Sequence, residues 1–80
     1  MAKLVPDWTP TQEGYGAIHE LYEHEGRHFL VSHSMFAGEV AIFEAAEVGN
    51  IASMRALAEY KSECLPFPFQ LARTIEGLVA

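Results

Sequence analysis

YGAIHELYEHEGRHF, residues 15–29, decides how the chain is read. At 3.6 residues per turn, Tyr15, Ile18, Leu21, Tyr22 and Phe29 gather on one face, with Glu13, Glu20, Glu23 and Arg27 opposite. That pattern predicts an amphipathic helix lying on a core. Glu25 interrupts the apolar stripe, and Gly26 can be read in two ways. It is either tolerated in a helix running on to Val31, or it is the left-handed residue that ends the helix after Glu25. In the second case His28-Phe29-Leu30-Val31-Ser32 is extended, as its aromatic and β-branched content allows. Of the two, the continuous helix is favoured.

On the N-terminal side, Met1 to Trp8 reads as an extended arm broken by Pro6, with Lys3-Leu4-Val5 as a short strand or a packed tail. Thr9-Pro10-Thr11-Gln12 carries the marks of a helix start: a capping threonine, proline at the first helical position and glutamine completing a capping box. On the C-terminal side, Ser32 or Ser34 opens a second helix ending near Val48, and Gly49-Asn50 separates it from a third. Leu65-Pro66-Phe67-Pro68-Phe69 is a stiff joint before a last helix, Phe69 to Leu78, with Leu71, Ile75, Leu78 and Val79 on one side. The expected fold is therefore all-α, a single domain over residues 1–80 built as a bundle of about four short helices. The alternative is α+β, with a short strand near residues 28–33. Ile42-Phe43-Glu44-Ala45-Ala46-Glu47-Val48-Gly49-Asn50, followed by Met54-Arg55-Ala56-Leu57, resembles the helix–loop–helix of an ankyrin repeat. The Thr-Pro-Leu-His opening of that family is missing and no second copy follows, so the resemblance implies a helical hairpin and no function.

Half of the 80 residues are hydrophobic, a large share for a chain able to bury only about 60–65% of its unfolded surface. Self-association as a homodimer is the expected outlet. No apolar run is long enough to span a bilayer, the N-terminus lacks the apolar stretch of a secretion signal, and Cys64 is the single cysteine. A reduced, cytoplasmic protein is expected. The whole net charge of −6 lies before Arg55, where only Lys3 and Arg27 offset the acids. Direct nucleic-acid binding, which needs clustered cations, is disfavoured, and a protein partner with a basic surface is favoured.

His24-Glu25-Gly26-Arg27-His28 has the H-E-x-x-H form of zinc peptidases, in which two histidines one helical turn apart hold the metal. Val31 and Ser34 stand where metzincins carry glycine and histidine, leaving Glu47 as the third ligand in the manner of gluzincins. Gly26 inside the motif and a chain too short for a substrate cleft argue against a peptidase. A zinc site of His24, His28 and Glu47 is kept as the alternative, and no cofactor is the main expectation. His19 and His33 are expected at the surface or the core edge, Cys64 as a structural thiol, and Tyr15, Tyr22, Phe29, Met35, Phe36 and Phe43 in the core. The expected function is that of a small acidic, non-enzymatic interaction protein. It would bind and inhibit a protein partner through Glu13, Glu20 and Glu23, together with an aromatic contact from Phe67 and Phe69. By size and charge alone the chain is similar to inhibitors from phages and mobile elements, anti-CRISPR proteins and DNA mimics among them. A plain helical dimerisation module is the remaining class.

Overall fold

A computed structural model describes residues 1–6, 17–46 and 54–80. The architecture is an antiparallel five-stranded sheet with one C-terminal helix, not an all-α bundle. The strands are β1 (Lys3–Leu4), β2 (Ala17–His24), β3 (Arg27–Ser34), β4 (Glu39–Ala45) and β5 (Met54–Lys61), and the helix is α1 (Pro68–Leu78). Each strand pairs with its sequence neighbours, so the sheet is a meander in the order β1-β2-β3-β4-β5.

The deciding stretch is a hairpin. His24 pairs with Arg27 and Leu21 with Leu30, so Glu25-Gly26 forms a two-residue turn. Both turn residues have positive φ, 51° at Glu25 and 76° at Gly26, and this left-handed pair matches the right-handed twist of the flanking strands. Gly26 does stop an element, but that element is a strand. The extended alternative at residues 28–33 lies within β3. The expected second helix is replaced by the end of β3, the turn Met35–Gly38 and β4; the third is replaced by β5. The ankyrin-like hairpin is thereby overturned: residues 42–45 and 54–57 are strand. The expected first-helix start, residues 9–12, lies outside the described residues.

A glutamate has a Cβ that resists left-handed backbone, whereas asparagine tolerates it. Glu25→Asn should therefore raise stability by several tenths of a kcal/mol, and Gly26→Ala should lower it by about 1 kcal/mol. Shifts of the urea midpoint in opposite directions, at unchanged slope, are the expected readout.

One sheet face carries Tyr22, Phe29, Val31, Val40 and Ile42, and α1 lies on it with Leu71, Ala72 and Ile75. Burying an aliphatic side chain of this size contributes roughly 1.5–3 kcal/mol, so Leu71 and Ile75 are the main anchors of the helix. α1 begins where proline permits it. Pro68 stands in the first turn, where a missing N–H costs nothing, and Gln70 Oε1 accepts from the Phe67 N–H at 3.1 Å. The far end is tied to the chain start, with Ala2 N–H donating to Glu76 Oε2 at 3.2 Å. The other sheet face also buries apolar groups, among them Leu21, Leu30 and Ala45. Among the described residues, no helix is long and apolar enough to cross a membrane.

Candidate interaction surface

The hairpin separates the histidines of the H-E-x-x-H string. Residues directly opposite in an antiparallel pair share a face, and neighbours along a strand alternate. Glu23 faces His28 and His24 faces Arg27, so His24 and His28 project from opposite sides of the sheet. His28 Nε2 lies 4.0 Å from Glu23 Oε2, and His24 Nε2 lies 4.0 Å from Glu25 Oε1. The i, i+4 spacing that suits a metal on a helix is undone by the turn. Glu47 lies outside the described residues, and among the described residues no three His, Cys, Asp or Glu side chains converge on a point.

The helical face that would join the glutamates is replaced by a strand as well. Glu20 and Glu23 are three apart on β2 and point to opposite faces. Glu23 is exposed; Glu20 is half-buried on the helix-covered face. Glu13 lies outside the described residues. Two further acids are engaged by cations. Glu44 accepts from Arg27 Nε at 2.6 Å and Nη2 at 2.7 Å, and from Arg55 Nη2 at 3.1 Å. Glu39 accepts from Lys61 Nζ at 2.6 Å. The hydrogen bonds from Arg27 hold the Glu44 carboxyl below the usual carboxylate range.

A feature the helical reading hides is a row of polar groups on the core face. Glu20, Tyr22 and His24 are two apart on β2 and share that face with His33. Glu20 Oε1, Tyr22 OH, His24 Nδ1 and His33 Nδ1 are all buried without a hydrogen-bond partner. His33 is 2% exposed, and its Nε2 donates to the Ser62 carbonyl at 2.9 Å. A carbonyl can only accept, so Nε2 carries the proton of this hydrogen bond. Burial raises the Glu20 carboxyl, and burial together with the Glu20 charge raises the Tyr22 phenol. Strand periodicity would have exposed this row in the sequence; helical periodicity scatters it.

The raised Glu20 carboxyl has a definite sign in the stability. Its folded pKa exceeds the unfolded value, so its contribution is fully present below about pH 4.5 and is lost as pH rises through the folded value. Glu20→Gln should therefore melt higher than the parent at pH 7 and together with it at pH 4. Paired melts at the two pH values check this.

Among the described residues, the most exposed large apolar groups after Met1 are Phe36, Phe67, Phe69 and Met35. The β3–β4 turn is set by Gly38 at φ 62°, whose N–H donates to the Ser34 carbonyl at 2.9 Å, and it lifts Met35 and Phe36 to 61% and 85% exposure. Both were expected in the core; a turn tip offers them nothing to pack against. Strand β5 runs antiparallel to β4 and ends beside this turn, where Ser62 N–H donates to the Gly38 carbonyl at 2.8 Å. The short segment from Ser62 then leads to Phe67 and Phe69, which are 66% and 64% exposed and stack with ring centroids 6.0 Å apart. Ile18, opposite His33, is 43% exposed. The free Cys64 is exposed on the connecting segment.

Comparison with known protein families, with curated proteins and with solved structures gives no match.

Proposed function

We propose that this chain is a non-enzymatic interaction domain that docks on a protein partner through the exposed Phe36, Phe67 and Phe69, with Met35 beside Phe36. The observation that carries the reading is the exposure of Phe36 on the β3–β4 turn and of the stacked Phe67 and Phe69 at the start of α1, with the end of β5 hydrogen-bonded to that turn. Aromatic side chains left in water at one place mark contact surfaces, because each recovers about 2–3 kcal/mol when a partner covers it. The chain's charge of −6 favours a partner whose apolar pocket is bordered by basic residues, since opposite fields speed encounter and orient docking. A nucleic-acid mimic would need carboxylates in a row on one face. Glu20 and Glu23 diverge, and Glu39 and Glu44 are held by Lys61, Arg27 and Arg55. The described carboxylates therefore form no such row.

The test compares partners recovered from cells of the source organism by the parent chain, by Phe67→Ser/Phe69→Ser and by Arg73→Glu, a reversal on the exposed side of α1. A true partner should be lost with the serine variant, kept with the helix variant, and bound more weakly as salt rises. All three proteins should melt alike, since none of the replaced side chains is buried. A partner whose affinity ignores the loss of both phenylalanines would overturn the reading.

A further inference from the structure

Strand β5 has no neighbour on its outer side among the described residues, and it is eight residues long, whereas β1 at the opposite edge has only two. In an antiparallel ladder, alternate residues turn their N–H and C=O toward the neighbouring strand. Ser62 uses both groups on the inner side: its N–H donates to Gly38 and its carbonyl accepts from His33. Counting back, Tyr60 and Ala58 also turn inward, so the N–H and C=O of Glu59 and Lys61 point to the open edge. The register shift opposite Ile42 and Phe43 ends this regular stretch at its N-terminal side.

We propose that β5 pairs with β5 of a second copy, antiparallel about a twofold axis at Tyr60, joining two sheets into one. The charges select this register. With the axis at Tyr60, Glu59 of each copy faces Lys61 of the other. Moving the axis by one residue sets Glu59 against Glu59 or Lys61 against Lys61, and like charges directly opposite are destabilising. Lys61 already bonds Glu39 on its inner side at 2.6 Å, so each lysine lies between two carboxylates. On the helix-covered face the two Tyr60 rings meet as a close cross-strand aromatic pair. The charges guard the edge against other registers and other strands, while this one pairing satisfies them.

The mass of the parent chain, measured by sedimentation across micromolar to millimolar concentration, should rise from 8.9 kDa toward twice that value. Glu59→Lys and Lys61→Glu should each weaken the dimer by about tenfold or more, and the double exchange Glu59→Lys/Lys61→Glu should restore it. Glu59→Pro removes an N–H that the chain's own ladder does not use, so it should give a folded monomer. If the proline variant fails to fold, the charge exchange decides alone. A parent chain that stays at 8.9 kDa throughout, a dimer unaffected by Glu59→Lys, or a double exchange that fails to restore it would overturn the proposal. Phe67→Ser/Phe69→Ser should leave the mass unchanged. A dimer lost in that variant and kept in Glu59→Lys would overturn edge pairing and place the self-contact on Phe67 and Phe69.

Discussion

Replacing Phe29 with alanine should destabilise the fold by about 3–5 kcal/mol, enough to unfold much of the population near 37 °C. Phe29 is fully buried, sits on β3 at the middle of the sheet, and pairs with Tyr22 on one side and Glu44 on the other. The guanidinium of Arg27 lies 5.6 Å from its ring centroid, closing the exposed margin of the core beside the Arg27–Glu44 pair. Truncation therefore loses aromatic packing and leaves a cavity with a charged group at its edge. A domain of this length has roughly 4–12 kcal/mol in total to lose. Phe29→Leu keeps most of the volume and should cost less than about 1.5 kcal/mol. Urea melts of the two variants should differ widely in midpoint. Similar midpoints would show that the ring at this position is not part of the core.

The hairpin shows why the sheet was hard to read. An alternating strand is easiest to recognise when one face is apolar and the other polar. Here both faces of β2 are mixed: Ile18 and Tyr22 share the core face with Glu20 and His24, while Leu21 lies on the reverse face between His19 and Glu23. Taking Ile18 and Tyr22 from one face and Leu21 from the other recreates a helical stripe. Glu-Gly is also a weaker turn signal than Asn-Gly or Asp-Gly, although Gly26 held the left-handed reading in plain view. In β4 and β5, alanine and glutamate raise helix propensity, yet the pairing of Val40, Ile42 and Phe43 with neighbouring strands prevails. The C-terminal segment was legible because two prolines and a one-sided apolar pattern leave little choice, and α1 begins one residue before the expected start. Exposure of Phe67 and Phe69 followed from the same local stiffness. Met35 and Phe36 could not be placed without the turn, and the buried row Glu20-Tyr22-His24 could not be seen without the strand.

The helix should prove inseparable from the sheet. Leu71→Ala/Ile75→Ala removes both fully buried anchors of α1, each worth about 2–5 kcal/mol alone. The sites are one helical turn apart on a shared contact, so their costs will not simply add. Even the lower bound of the pair takes a large part of the available stability. Among the described residues, α1 is the only helix over Tyr22, Phe29, Val31, Val40 and Ile42, and releasing it would open that face to water. The double variant should therefore lose the helical signal and the near-ultraviolet signal of the buried Tyr22 in one coincident transition. It should also aggregate at concentrations where the parent stays clear, because the uncovered face is both apolar and strand-edged. Leu78→Ala, at a 40% exposed position on the same helix, should leave both signals nearly unchanged. Loss of the helical signal while the tyrosine signal keeps its native midpoint would mean that the sheet holds its core without α1, and the helix would then be an appended element free to serve another contact.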